Sequence, residues 1–247
     1  MLRDAVGQRL DHDPAFRWRG TDVTRIENLS DIAFAVALGM IISGVDAPQT
    51  FSELVKFLIF SVPAAAAFAV LVEIWMAHYT FFRRYGSADT RIIVYNAILI
   101  FLVLYMAYPL RFAFDSFFAW AITMTTGDSS RHLEIGVMNF KTSGYIIALF
   151  GTIYGLAYAI LAMMYGYVGR KRATDLALNA TELRMTRRDA LIKWCQAALA
   201  FCVALIGYLT PLNGMAGALL FFSFAPRVIA DRVYPQPESD NETHLTD

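Results

Sequence analysis

Long apolar stretches recur along this chain, and they constrain its fold more tightly than any other feature. A helix that crosses the bilayer core needs about 20 mostly apolar residues, because lipid offers no partner to backbone N–H and C=O groups. By that measure, spans are expected at about residues 26–45, 57–82, 91–112, 143–168, 189–209 and 212–229. The first is polar up to Asp31 and apolar from Ile32, and the last is bracketed by Pro211 and Pro226. The expected fold class is therefore all-α: a polytopic membrane protein with six transmembrane helices. Composition agrees, with 57% hydrophobic and only 17% charged residues, where a soluble domain carries about 25% charged.

Charge gives the orientation. Arg3, Arg9, Arg17, Arg19 and Arg25 precede the first span, and Arg83, Arg84, Arg91, Arg170, Lys171, Arg172, Arg184, Arg187, Arg188, Arg227 and Arg232 fall on the same side if the spans alternate. Lys56, Arg111, Arg131 and Lys141 fall on the other. The positive-inside rule then puts both termini in the cytoplasm. Residues 1–24 form a cytoplasmic N-terminal segment without a signal-peptide pattern. Residues 25–232 form the transmembrane domain, and residues 233–247, acidic and proline-bearing, form a disordered tail. Two connections look structured. Residues 113–142, with Phe117, Phe118 and Trp120, suit an interfacial helix on the outer side, and residues 169–188 suit a charged helix on the inner side, with Leu176, Ala180 and Leu183 at heptad-like offsets.

Several classes of function are excluded. Lysine plus arginine and aspartate plus glutamate balance at 21 each, so no basic excess binds nucleic acid. The two cysteines, Cys195 and Cys202, lie seven positions apart on one helix, about 10 Å along its axis, which is too far for a disulfide. No phosphate-cradling glycine loop, metal-ligand cluster or nucleophile–base pair is present, so neither an enzyme nor a cofactor is expected.

Polar residues within the spans carry the information, since each must find a partner there. Arg25, Glu27, Asn28, Ser30 and Asp31 crowd the start of the first span, while Glu73, Trp75, His78 and Asn96 lie in the second and third. Arg25 and Asp31 are about 120° apart around a helix, so each must reach a different neighbour. The group reads either as a helix start in the headgroup region or as a polar network joining the first three helices. In the network reading, Asp31 is buried against the second or third span and touches at least one of Arg25, His78 or Asn96 across helices or subunits. His78 serves there as a hydrogen-bond linker or a proton sensor. Gly151 and Gly155, four apart, permit close helix packing within one subunit or between two.

Residues 25–31, Arg-Ile-Glu-Asn-Leu-Ser-Asp, resemble the Arg-x-x-x-Phe-Ser-Asp signature of the transmembrane protein 175 family, which includes the lysosomal potassium channel of animals and six-helix prokaryotic relatives. Trp75 and His78, followed by Phe81, Phe82 and Arg83, and then Asn96 and Pro109, are also similar to the prokaryotic pattern, so the resemblance spans residues 25–110. Leu29 departs from it, standing where the family has Phe. The resemblance implies a homotetramer in the lipid of a prokaryotic inner (plasma) membrane, whose pore is lined by four first helices, passes potassium ions in preference and narrows at a hydrophobic side-chain constriction formed by Val36 and Met40. On that helix the implied lining is Val36, Met40 and Ser43, with Ile32 and Gly39 beside them. Arg25, Ser30, Asp31, Trp75, His78 and Asn96 form the implied polar network. The chain has no Thr-Val-Gly-Tyr-Gly segment, so a filter of backbone carbonyls is not expected. Two rival readings are a secondary transporter or proton-conducting protein, for which repeats and broken helices are wanted, and a structural membrane protein without transport.

Overall fold

The computed structural model describes residues 16–20, 23–43, 48–127, 130, 140–209 and 225–234. Among these residues the chain is all helical. In order come α1 (Arg25–Ser43), α2 (Phe51–Tyr85), α3 (Thr90–Thr126), α4 (Phe140–Tyr167), a π-helical turn (Val168–Arg172), α5 (Ala180–Leu209) and α6 (Ala225–Val233). Four of these helices are long and apolar enough to cross a membrane: α2, α3, α4 and α5. In α1 the charged residues Arg25, Glu27 and Asp31 occupy the first two turns, which leaves only residues 32–43 as uninterrupted apolar helix. The expected sixth span falls mostly on residues 210–224, outside the described residues, as does the tail beyond residue 234.

Helix ends follow local chemistry. Thr50 caps α2 through a reciprocal box: its hydroxyl accepts from the Glu53 N–H and the Glu53 carboxylate accepts from the Thr50 N–H. Thr24 and Glu27 make the same exchange ahead of α1, at 3.3 and 2.8 Å. Asp89 accepts from the N–H groups of Arg91 and Ile92 to start α3. Gly86, at φ 56°, ends α2 in the left-handed conformation that costs glycine least.

Two connections differ from expectation. Residues 113–126 are not a separate interfacial helix; they continue α3, whose 37 residues reach about 55 Å, well beyond a ~30 Å hydrocarbon core. No glycine or proline interrupts residues 110–126, so the helix runs on to Gly127 at φ 76°. Residues 169–188 are not one charged helix either. The π-helical turn ends at Arg172, and α5 starts afresh at a third capping box, where Asn179 Oδ1 accepts from the Glu182 N–H (2.8 Å) and Glu182 accepts from the Asn179 N–H (3.0 Å).

The core lies between the helices, built from Phe34, Leu71, Ile74, Phe81, Tyr85, Leu99, Met106, Tyr158 and Tyr165, all essentially inaccessible. Helix α1 packs on α2 and α3, and α4 pairs with α3 and most extensively with α5. The last pairing depends on Gly151, where an added Cβ would come within 2.9 Å of the Ala200 carbonyl. The Gly151–Gly155 spacing thus serves packing inside one chain.

Candidate functional site

The polar residues of the first three helices meet at the level where α1 crosses between α2 and α3. Ser30 donates its hydroxyl to the Ile26 carbonyl at 2.8 Å, the Asn96 amide donates to Ser30 Oγ at 2.8 Å, and His78 Nε2 lies 2.8 Å from Asn96 Oδ1. All three side chains are buried. Since the Ser30 hydrogen is spent on Ile26, Ser30 Oγ must accept from the Asn96 NH2 group. That turns Asn96 Oδ1 toward the ring and makes Nε2 the protonated nitrogen of His78. Nδ1 then faces inward without a partner among the described residues. Phe34 and Phe82 flank the imidazole at 5.6 and 4.7 Å between ring centroids and close the site to water.

Within one chain Asp31 reaches the second span, as the network reading requires, but through a residue other than the three expected. It is exposed, and it contacts none of Arg25, His78 or Asn96. Its carboxylate accepts instead from Trp75 Nε1 at 2.9 Å. The physical reason is helical phase: Asp31 is about 100° round α1 from Ser30, so it looks toward α2 while Ser30 looks toward α3. The indole has one N–H, so it satisfies one carboxylate oxygen and leaves the other open. Trp75 is held in turn by stacking on Tyr79, 5.5 Å between centroids. Arg25 is exposed and makes no ion pair with the described residues. Glu27 does not confront Asp31; it turns back to cap its own helix at Thr24, a role signalled by the Thr24-x-x-Glu27 spacing. Glu73 projects from the other side of α2, where Gln196 of α5 donates to it at 3.4 Å.

One side of α1 is unpacked within the chain. Ile32 and Val36 are 62% and 50% exposed, and Leu29 and Gly39 lie on the same arc. Met40 sits at the edge of this arc, half-buried against the core, and the side chain of Ser43 lies outside the described residues.

Sequence reasoning missed a second polar centre, where the end of α2 meets the start of α5. Arg19 donates to both carboxylate oxygens of Glu182, at 2.9 and 2.7 Å, and Glu182 is almost fully buried. Arg84 pairs with Asp189 beside it. The only signals were the aromatic–basic run Phe16-Arg-Trp-Arg19 and the Asn179-x-x-Glu182 spacing, and neither names its partner.

Comparison with known proteins bears on this arrangement. The chain is 28% identical over 228 residues to a protein of Marivirga tractuosa named a potassium channel, covering 88% of this chain and 89% of that one. Its fold is similar to that of a variant of the potassium channel MtTMEM175 crystallised with a Nanobody-MBP fusion protein, with a TM-score of 0.79 at 24% identity, covering 91% of this chain and 98% of that one. A lysosomal potassium-selective channel TMEM175 homolog from Chamaesiphon minutus is similar at a TM-score of 0.54 and 15% identity, covering 84% of this chain and 97% of that one. Residues 25–107, which span α1, α2 and the first half of α3, match the family model described as Endosomal/lysosomal potassium channel TMEM175. The resemblance read from the sequence is therefore borne out: the helices that carry the polar site match the model of the transmembrane protein 175 family, and the fold of the chain is similar to those of the two channel structures.

Proposed function

We propose that this protein is a potassium-preferring cation channel, a homotetramer in which four copies of α1 surround the pore. The observation that carries the reading is the unpacked arc of α1. It combines Ile32 and Val36 with the small residues Ala35 and Gly39, and with polar Arg25, Asn28 and Asp31 at its cytoplasmic end. Small residues let helices approach closely around an axis. The exposed face of α3 is different in kind, with Phe101, Tyr105 and Tyr108 as its largest members, and suits acyl chains.

In this reading Ile32 and Val36 form the narrow apolar layer, with Gly39, Met40 and Ser43 toward the outer mouth. A dewetted apolar ring makes each ion shed part of its hydration shell. Potassium holds its water less tightly than sodium, so a preference for potassium follows without a carbonyl filter. The Ser30–Asn96–His78 chain and the Asp31–Trp75 bond hold α1 in register, as a pore helix without a filter requires. The wider topology is six spans with both termini cytoplasmic.

Potassium efflux from liposomes holding the purified protein tests the proposal. Efflux faster for potassium than for sodium is expected, and Val36→Asn should raise the rate and erode the preference. A folded, oligomeric protein that passes no ion, or unchanged flux in both Ile32→Asn and Val36→Asn, would remove the pore from α1.

A further inference from the structure

The segment ahead of the pore helix is fastened to the cytoplasmic face by an unusual density of bonds. Besides its two bonds to Glu182, Arg19 donates Nε to the Leu176 carbonyl at 2.8 Å and Nη2 to the Ala177 carbonyl at 3.3 Å. Ala177 is the one non-glycine with positive φ among the described residues, at 45°, a conformation that persists only where its surroundings enforce it. Glu182 also accepts from the Arg17 N–H at 2.9 Å. The N–H groups of Arg19 and Gly20 both donate to the Arg83 carbonyl, and the Arg83 guanidinium donates back to the Gly20 carbonyl at 3.0 Å. Phe16 is buried edge-on against Tyr85, with the Arg84 guanidinium 4.8 Å from its ring centroid. Gly20 lies so close to the end of α2 that a Cβ there would meet the Phe82 carbonyl at 2.4 Å.

This clamp joins the end of α2 to the turn that leads into α5, and α1 begins only four residues beyond it. The five residue steps from Gly20 to Arg25 reach at most roughly 17 Å when fully extended, so the clamp bounds how far the start of the helix can stray. We propose that residues 16–20 are a positioning element for the pore, with Arg19 the positioning residue that transmits the arrangement of α2 and α5 to the cytoplasmic end of α1. The inference rests on the channel reading above. Arg19 touches no permeating ion; it acts by fixing where α1 enters the membrane, and thus how long the apolar layer stays open.

Single-channel recording of the full chain in planar bilayers tests this with three variants. Arg19→Gln and Glu182→Gln weaken the clamp, and if the first fails to assemble the second keeps one acceptor oxygen, enough for the Arg17 or the Asn179 N–H but not for both. Two glycines inserted after Asp22 leave every clamp contact in place and only slacken the link. The expected result is an open probability changed at least threefold in the clamp variants and in the insertion alike, with unitary conductance and the potassium-to-sodium ratio as in the parent. A change in the clamp variants alone would make the clamp a stabiliser of the α5 turn and overturn the proposal, as would unchanged open probability in all three. If the parent chain itself passes no current, the channel reading fails, and hydrogen exchange over residues 25–31 decides the positioning claim. Faster exchange in both a clamp variant and the insertion sustains it, and parental exchange in the insertion overturns it.

Discussion

The Ser30–Asn96–His78 chain lends itself to a double-mutant cycle, because its hydrogen bonds are buried and their directions are fixed. Ser30→Ala removes one hydroxyl from a fully buried position with almost no change in volume. The Asn96 NH2 group loses its acceptor, while the Ile26 carbonyl keeps its helical partner. Polar pairs between membrane helices contribute about 0.6 kcal/mol on average and up to about 1.7; this pair, at 2.8 Å and shielded from water, belongs near the upper half, so a cost of about 1 kcal/mol is expected. Asn96→Ala costs more. It leaves the His78 Nε2–H without an acceptor and opens a small cavity, together about 2–3 kcal/mol. In the double variant, Ser30→Ala adds almost nothing, because its partner is already gone. The coupling is therefore about 1 kcal/mol, with the double variant more stable than the sum of the singles. Reversible unfolding in mixed lipid–SDS micelles, followed by circular dichroism, gives all four corners of the cycle. Additivity to within about 0.3 kcal/mol would show that Ser30 and Asn96 do not act as one unit, and the argument for a polar lock on α1 would fall.

Other consequences can be measured in the same way. Asp31→Asn should cost less than about 0.5 kcal/mol, since an exposed amide oxygen still accepts from Trp75 Nε1; Trp75→Phe, which removes the donor, should cost about 1 kcal/mol, and a larger loss for Asp31→Asn than for Trp75→Phe would contradict the geometry. Gly151→Leu should force α4 and α5 apart, because even a Cβ there comes within 2.9 Å of the Ala200 carbonyl; an overpacking cost of about 3 kcal/mol or more is expected, seen as loss of the monodisperse peak in size-exclusion chromatography, and parental behaviour would refute it. Asn179→Ala should cost about 1 kcal/mol of stability by removing the cap of α5, with faster amide exchange confined to the first turn of that helix; exchange unchanged there would mean that the cap is idle.

The sequence by itself determined what depends on local composition. Apolar runs of bilayer length located α2, α3, α4 and α5 to within a few residues at their hydrophobic centres, because burial in lipid is a property of each segment alone. Helix starts are just as local, since a cap is built from neighbours in the chain, but hydropathy does not see them: the second span was expected from residue 57, while the Thr50-x-x-Glu53 box starts α2 at Phe51. Hydropathy could not show where helices stop once they leave the apolar layer, so the run of α3 through residues 113–126 and the break of the 169–188 connection at Asn179 appeared only in three dimensions. Partners across helices were likewise decided by tertiary structure. Ser30, Asp31, Trp75, His78 and Asn96 were all legible as polar residues that need company, but helical phase and the relative rotation of α1, α2 and α3 chose Trp75 for Asp31 and Asn96 for both Ser30 and His78. Arg19 and Glu182 stand 163 positions apart, and no local pattern encodes such a pair; only the packing of the chain's beginning against the ends of α2 and α5 brings the guanidinium and the carboxylate together.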